Sequence, residues 1–248
     1  MAIEAARHIS SKLGKMTDSV SLKISEIFYS LQGEGTNTGR PVVFLRTSHC
    51  NLACVWCDTK YTWDWDNYDY SAEVKEMSVD ELISSISQYQ TKHLVITGGE
   101  PMIQQRQLLP LVVEVKAMGY FVEMETNGTI LPDDNLNDLI DQWNVSPKLA
   151  SSSIERSARE IERCYLFFTN HSKCYFKYVI NEPKDLHELE ALVKKYRISA
   201  NKIILLPQGN DRNEIIERGK WLSEICKEKG YILSLRLQIL LWSDRRGF

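Results

Sequence analysis

Short runs of β-branched and aromatic residues alternate along this chain with segments whose apolar residues recur at helical spacing. The short runs predict strands, because such side chains suit a pleated, half-buried surface. The other segments predict helices, because apolar residues three and four positions apart share one helical face. The predicted strands cover 20–30, 41–47, 93–97, 120–126, 143–147, 175–180, 202–207 and 232–242.

The predicted helices carry sequence signals at their ends. Ser78 and Glu81 fit a capping box, in which two side chains satisfy free backbone N–H groups at the start of a helix. Gly119 and Gly230 follow two other helical segments, and glycine is the preferred residue just beyond a helix. The helix that begins after Ser78 is followed by predicted helices over 104–118, 134–141, 184–196 and 212–229.

Strands that alternate with helices indicate an α/β fold with a parallel sheet. Their number here predicts a partial, TIM-like barrel of about six parallel strands. Loops at the carboxyl ends of such strands share one rim, so we expect five loops of this chain to meet. Their Gly, Pro and Asn residues could otherwise only mark turns. The five loops contain CNLACVWC (50–57), ITGGEP (96–101), ETNGT (125–129), VSPK (145–148) and LLPQG (205–209).

Composition narrows the possible functions of the chain. At 248 residues and 43% hydrophobic composition, the chain can bury a sizeable core. A net charge of -3 and a pI of about 6.0 argue against general nucleic-acid affinity, which needs a basic surface. There is no run of about 18 apolar residues and no hydrophobic signal core, so we expect a cytoplasmic protein without a membrane partner. Residues 1–19 are polar and aperiodic, which predicts a mobile extension ahead of a single domain, 20–248.

Three of the six cysteines, Cys50, Cys54 and Cys57, lie together as CxxxCxxC. In a reducing compartment such a group is more typical of a metal site or of catalysis than of disulfides. A structural zinc site takes four ligands, and His93 or His171 could supply the fourth through folding. A cysteine nucleophile would account for one sulfur alone. An iron–sulfur cluster held by three cysteines leaves one iron open to an outside ligand, which suggests chemistry at the cluster.

The cysteine motif, with an aromatic residue before its last cysteine, resembles that of radical S-adenosylmethionine (SAM) enzymes. The resemblance implies a 4Fe-4S cluster whose open iron binds the amino and carboxylate groups of SAM, and whose electron generates a 5'-deoxyadenosyl radical. Asn127 could instead only turn the chain, and Lys148 could be a solvated charge. The SAM contacts that we infer are Trp56, Asp58, Gly98, Gly99, Glu100, Glu125, Asn127, Ser146, Pro147, Lys148 and Gln208.

A longer resemblance narrows the range of possible substrates. The segment FYSLQGEG (28–35), followed by GRPVVFLRTSHCNLACVWCDT (39–59), is similar to 7-carboxy-7-deazaguanine synthases, and the likeness runs from about residue 24 to the C-terminus. It implies ring contraction of 6-carboxy-5,6,7,8-tetrahydropterin with loss of ammonia, regeneration of SAM, a homodimer and a flavodoxin-like or other reductant. The implied substrate contacts are Leu31, Gln32, Gly33, Glu34, Arg46, Thr97 and Phe248.

The same resemblance places a magnesium ion on Thr59, where the hydroxyl could otherwise only cap a turn. Two regions depart from the family pattern. The acidic, aromatic stretch 60–76 has the character of an insertion and could be a lid, a reductase dock or a dimer contact. Near the C-terminus, Leu235 and Gln238 stand where the family ending often has proline and histidine, which puts a histidine role in doubt.

Two other functional classes remain open from the sequence. A glycyl-radical-enzyme activase shares the three cysteines and a TGGEP-like loop, but it acts on a backbone glycine of a large protein partner. A non-catalytic zinc or electron-transfer protein would use the sulfurs without radical chemistry.

Overall fold

A computed structural model of the chain describes residues 20–243 and 245–248. The predicted mobile extension, residues 1–19, lies outside these residues. Within them, no helix has both the length and the apolar composition needed to cross a membrane.

The described part of the chain contains one sheet of nine strands. They are β1 (Ser21–Leu31), β2 (Pro41–Thr47), β3 (Lys75–Ser78), β4 (His93–Gly98), β5 (Phe121–Thr126), β6 (Gln142–Val145), β7 (Cys174–Ile180), β8 (Ile203–Pro207) and β9 (Ile232–Leu233). Their order is β3-β1-β2-β4-β5-β6-β7-β8-β9. In this order, each strand from β2 onward is parallel to the next one. The strand β1 is antiparallel to both of its neighbours, β2 and β3. The sheet is a mostly parallel, unclosed barrel, which confirms the predicted fold class.

Helices connect the parallel strands and cover one face of the sheet. In the described residues the α-helices are α1 (Tyr70–Glu73), α2 (Val79–Ser87), α3 (Gln105–Ala117), α4 (Asp134–Leu139), α5 (Arg156–Arg159), α6 (Glu162–Asn170), α7 (Pro183–Tyr196), α8 (Arg212–Lys229) and α9 (Leu237–Trp242). The predicted helices within 78–229 are confirmed with small shifts at their ends. The helices α1, α5 and α6 were not predicted, nor was the strand β3 at the end of the 60–76 stretch.

The two faces of the sheet differ in polarity. Along β5, Val122 and Met124 pack into the main apolar core with the helices. Because side chains alternate along a strand, Glu123 and Glu125 lie on the opposite, inner face. Glu123 is fully buried there and accepts hydrogen bonds from the side chains of Gln32 at 3.0 Å and Asn144 at 2.9 Å. The inner face therefore carries a polar layer whose charges need partners inside the protein.

The predicted strand over 232–242 is wrong beyond its first two residues. β9 ends at Leu233, and the following segment turns into the short helix α9. Arg236 takes the left-handed conformation, with φ 57°, which ends the extended chain. The backbone N–H of Leu237 then donates to the carbonyl oxygen of Gly33 at 2.8 Å. A contact distant in sequence thus overrides the strand preference of this apolar run.

The capping box at the start of α2 generates a stability prediction. Glu81 accepts a hydrogen bond from the backbone N–H of Ser78 at 2.7 Å, and the Ser78 hydroxyl accepts one from Glu81 N–H at 3.3 Å. Ser78→Ala should lower the free energy of unfolding by about 1 kcal/mol, since a helix N–H loses its partner. We expect the midpoint of thermal unfolding to fall by about 2–4 °C. The control Ser84→Ala, on the exposed surface of α2, should be neutral or slightly stabilising. Equal losses in both variants would contradict this account.

Candidate active site

The loops that follow the parallel strands meet at their carboxyl ends around a cavity of about 280 Å³. All five loops singled out from the sequence contribute to its wall, which confirms the predicted convergence at one rim. The predicted site residues in the wall are Leu31, Gln32, Gly33, Glu34, Arg46, Cys50, Cys54, Trp56, Cys57, Asp58, Thr59, Thr97, Gly98, Gly99, Glu125, Asn127, Ser146, Lys148, Gln208 and Phe248.

Glu100 and Pro147 are buried but are not among the residues that line the cavity, unlike the other predicted site residues. The Glu100 carboxylate accepts hydrogen bonds from the hydroxyl of Thr126 at 2.8 Å and from the backbone N–H of Asn127 at 2.6 Å. Burial raises the pKa of Glu100, and these donors offset part of that effect. Within the protein, the Glu100 carboxylate joins the loop after β4 to the loop after β5. Its contact with SAM stays a prediction.

The three clustered cysteines are all free thiols that line the cavity. Burial raises the pKa of Cys50 to about 12 and also raises that of Cys54, so these thiolates need a positively charged partner. Across residues 20–243 and 245–248, no three His, Cys, Asp or Glu side chains converge as the ligands of a single metal ion would. Cysteine ligands of an iron–sulfur cluster bind different iron atoms and need not converge. The donor set thus fits a cluster held by Cys50, Cys54 and Cys57.

The histidines considered as a fourth zinc ligand lie elsewhere. His93 pairs through its Nε2 atom with Glu123 at 2.9 Å, in the polar layer of the inner face. His171 stacks on Phe167 after α6, with ring centroids 5.6 Å apart. Neither histidine lines the cavity that holds the three thiols.

Two glycines bring the loop after β4 against the cysteine loop. The backbone N–H of Gly99 donates to the carbonyl oxygen of Thr47 at 3.1 Å. A Cβ atom on Gly99 would overlap the carbonyl oxygen of His49, and one on Gly98 would overlap the backbone of Thr47. Gly98 also has φ 150°, a conformation that other residues rarely adopt. The glycines are needed for this close approach to the segment that leads into Cys50.

Lys148 and Trp56 lie together in the cavity wall. The ammonium group of Lys148 is 5.6 Å from the centroid of the Trp56 ring and donates to the hydroxyl of Ser146 at 3.0 Å. The Trp56 indole N–H donates to the carbonyl oxygen of Ser151 at 2.9 Å. Lys148 is therefore half-buried in the cavity wall and held by Ser146 and Trp56, and its contact with SAM stays a prediction.

Asn127 both lines the cavity and shapes its loop. Its side-chain NH₂ donates to the side chain of Asn51 at 2.9 Å, and its Oδ1 atom accepts the backbone N–H of Thr129 at 3.0 Å. Asn127 therefore turns the chain and also joins the loop after β5 to the cysteine loop.

The Glu34 carboxylate is surrounded by three donors. It accepts hydrogen bonds from Lys177 at 3.1 Å, from Arg236 at 3.1 Å and from the Gln238 side chain at 2.9 Å. Burial alone would raise the pKa of Glu34, but Lys177, Arg236 and the Gln238 hydrogen bond lower it to about 2. Glu34 is therefore ionised throughout the physiological pH range. Gln238, at the position where the family often has histidine, takes part in this arrangement.

Lys177 and Arg236 extend this arrangement across the cavity. Lys177 also donates to Glu125 at 2.8 Å, and Arg236 also pairs with Asp58. Charges thus alternate in the order Asp58, Arg236, Glu34, Lys177, Glu125, from the cysteine loop to β5. Neither cation was predicted as a site residue. The available signal was a lysine inside a predicted buried strand, because lysine is almost never fully buried without a partner.

Arg46 belongs to a second charged group. Its Nε atom donates to Glu26 at 2.8 Å, and its guanidinium lies 5.6 Å from the centroid of the Phe28 ring. The Tyr61 hydroxyl donates to Glu26 at 2.9 Å, and Arg246 donates to the same carboxylate at 3.0 Å. The last residues of the chain therefore reach the cavity beside Arg46, where Phe248 also lines the wall. Glu26, Tyr61 and Arg246 were not predicted.

Both polar groups of the Gln32 side-chain amide form hydrogen bonds within the protein. Gln32 is 2% exposed, its NH₂ group donates to Glu123, and its oxygen accepts the backbone N–H of Glu34 at 3.1 Å. Gln32 therefore fixes the loop that presents Glu34. Its contact with the substrate, implied by the family resemblance, stays a prediction.

Comparison with known proteins supports one family. A family model described as a 4Fe-4S single cluster domain matches residues 31–153. Proteins named 7-carboxy-7-deazaguanine synthase match along most of the chain. The one from Pyrobaculum aerophilum is 35% identical, over 94% of this chain and 100% of its own length. The one from Halobacterium salinarum is also 35% identical, over 92% of this chain and 93% of its own length.

Solved structures agree with this result. The crystal structure of QueE from Escherichia coli aligns with a TM-score of 0.66 at 26% identity and covers 88% of this chain and 94% of that chain. Streptococcus suis SuiB, crystallised with SAM, shares the fold alone, with a TM-score of 0.54 at 13% identity, over 78% of this chain and 48% of that chain. With 35% identity across nearly the whole length of both chains, this chain belongs to the 7-carboxy-7-deazaguanine synthase family.

Proposed function

We propose that this protein is a radical SAM lyase that contracts the ring of 6-carboxy-5,6,7,8-tetrahydropterin to 7-carboxy-7-deazaguanine, with loss of ammonia, in queuosine biosynthesis. One observation carries the proposal. The three free thiols of CxxxCxxC and the QGEG loop line the same cavity, in a chain that is 35% identical to proteins of that name.

The cofactor half of the cavity is formed by the cysteine loop and the loops that face it. Cys50, Cys54 and Cys57 would hold the 4Fe-4S cluster. When bound, the cluster and SAM supply the radical that removes a hydrogen atom from the substrate. Lys148, held by Ser146, places a positive charge where a carboxylate can bind. Gly98 and Gly99 line the cavity beside the thiols, where their backbone carbonyl oxygens would accept the ammonium group of SAM.

The substrate half is formed by Arg46 and Glu34. Arg46 would hold the pterin carboxylate, because a guanidinium offers paired N–H donors to a carboxylate. Glu26 binds the Nε atom of Arg46 and so fixes the direction of its guanidinium. Glu34 stays ionised and would accept the N–H groups of the pterin's amino and amide edge. Thr97 would contact substrate from the opposite side, where its hydroxyl donates to Glu125 at 2.9 Å.

Further parts of the proposal are supported by family resemblance. They are a magnesium ion on Thr59, which when bound supplies a Lewis acid near the substrate carboxylate, a flavodoxin-like or other reductant, a homodimer and a cytoplasmic location. Aromatic side chains around the cavity would help to exclude water from a reactive carbon radical. They include Phe28, Phe44, Tyr61 and Trp63.

The proposal is tested by anaerobic reconstitution followed by mass spectrometry. Protein loaded with iron and sulfide is incubated with the tetrahydropterin, SAM, magnesium and a low-potential reductant. We expect 7-carboxy-7-deazaguanine and ammonia, with SAM retained over many turnovers. Cleavage of SAM without any deazaguanine product would reject the ring contraction. Protein that takes up zinc instead of iron would reject the radical chemistry.

For the proposed function, the first prediction concerns the cluster ligands. Cys54→Ala should lose most of the bound iron and all SAM cleavage, because a metal centre depends on its thiolate ligands. The control Cys226→Ala changes a buried thiol on α8 and should retain both. Iron and sulfide analysis with a 5'-deoxyadenosine assay measures the outcome. Full cluster content in Cys54→Ala would remove this residue from the ligand set.

The second prediction separates substrate binding from radical generation. Arg46→Ala should raise KM for the tetrahydropterin about 10- to 100-fold, because a charge-assisted contact is lost. SAM cleavage uncoupled from product should persist. Glu26 keeps Tyr61 and Arg246 as partners, so the local structure should survive. Arg40→Ala, at an exposed position on the same hairpin, is the control. An unchanged KM in Arg46→Ala would contradict the assigned role.

The third prediction concerns magnesium. Thr59→Ala should raise the Mg²⁺ concentration needed for half-maximal turnover by roughly tenfold or more, because a ligand oxygen is lost. Thr59→Ser keeps the hydroxyl and should remain close to the wild-type value. Identical magnesium titrations in wild type and Thr59→Ala would remove Thr59 from the metal site.

A further inference from the structure

Trp63 makes a contact with the cysteine loop that the proposed function does not use. Its indole N–H donates a hydrogen bond to the Cys57 sulfur, with a nitrogen–sulfur distance of 3.4 Å. Trp63 belongs to the acidic, aromatic stretch 60–76, which the family resemblance leaves without a role. An indole N–H can only donate, so the direction of this bond is unambiguous.

The stretch is fixed against both ends of the cysteine loop. A short 3-10 helix covers Lys60–Thr62, and the Thr62 carbonyl oxygen accepts the backbone N–H of His49 at 2.6 Å. Trp65 packs edge-on against the His49 ring, with centroids 5.6 Å apart. His49 directly precedes the first cysteine, while Trp63 contacts the last one. The geometry therefore holds the indole at the sulfur as part of a packed unit.

The donors to the sulfurs differ in origin. Cys50 accepts the backbone N–H of Leu52 at 3.4 Å, a donor that the loop provides whatever its side chains are. Cys57 has side-chain neighbours instead, with the Thr59 hydroxyl at 3.6 Å and the Trp63 indole nearer. The environment of the Cys57 sulfur is thus set by side chains that substitution can change.

A hydrogen bond to a ligand sulfur acts on the charge of the cluster. Reduction adds one electron, which is shared by irons and sulfurs, and a donor N–H stabilises the more negative state more strongly. Such a bond raises the reduction potential, so a given reductant reduces a larger fraction of the clusters. An aromatic ring at the sulfur also excludes water, and phenylalanine keeps much of that effect.

We propose that Trp63 raises the reduction potential of the cluster through its hydrogen bond to Cys57, and that the stretch 60–76 serves electron uptake by holding this indole in place. The inference rests on the proposed function, because it requires the cluster. It concerns a group that acts through the cluster's ligand, so Trp63 is a positioning residue.

The test is a redox titration of Trp63→Phe, followed by the electron paramagnetic resonance signal of the reduced cluster. At a fixed potential near the wild-type midpoint, the ratio of reduced to oxidised cluster should fall about tenfold, which is 59 mV for one electron. The control Trp65→Phe removes another indole of the same stretch and should keep the wild-type midpoint. An unchanged midpoint in fully loaded Trp63→Phe would overturn the inference.

Iron analysis and SAM cleavage keep the two proposals apart. If the wild-type protein binds no 4Fe-4S cluster, the proposed function fails. If wild type and Trp63→Phe both hold the cluster and cleave SAM but share one midpoint, only the role of Trp63 fails.

If Trp63→Phe does not assemble a cluster, the inference is tested on protein that retains Trp63. With ¹⁵N-labelled indoles and a Trp56→Phe background, pulsed electron paramagnetic resonance of the reduced cluster should detect coupling to a nitrogen, and its absence would overturn the inference.

Discussion

Charges buried on the inner face of the sheet must find partners inside the protein, and the arrangement of the site follows from this constraint. Glu125 and Lys177 project from β5 and β7 into the barrel, where they pair at 2.8 Å. The Lys177 ammonium group also pairs with Glu34, and it thereby holds the QGEG loop at the inner face of the sheet. Removing one member of such a set leaves an uncompensated buried charge, which costs about 3–5 kcal/mol. The loop and the barrel are therefore held in one geometry.

The same constraint shapes the C-terminal segment. Arg236 balances Glu34 and Asp58, and it also donates to the carbonyl oxygen of Gly209 at 2.9 Å. Its backbone adopts the left-handed conformation, between the end of β9 and the start of α9, where the chain leaves the sheet. The helix α9 and the last residues then fold over the rim, where Arg246 meets Glu26. One arginine thus links the cysteine loop, the QGEG loop and the C-terminal segment.

The sequence predicted what depends on local pattern and failed where distant contacts decide. The Ser78 cap and the strands β2 and β4 to β8 follow from spacing and side-chain type, and the structure has them. The apolar run 232–242 reads as a strand, yet Arg236 and the bond from Leu237 to Gly33 turn it into a helix. The Glu100 carboxylate accepts hydrogen bonds from Thr126 at the end of β5 and from Asn127 in the loop that follows, partners that sequence spacing does not reveal. Such partnerships appear only after folding.

Resemblance to a family predicts the reaction more firmly than it predicts the reduction potential of the cluster. Three cysteines at this spacing determine which cofactor is held, because ligand number and type decide the metal centre. They do not determine its potential, which depends on the donors around each sulfur and on access of water. At Cys57 those donors are Thr59, inside the shared motif, and Trp63, just outside it. Two chains with the same motif can therefore share a reaction and still require reductants of different strength.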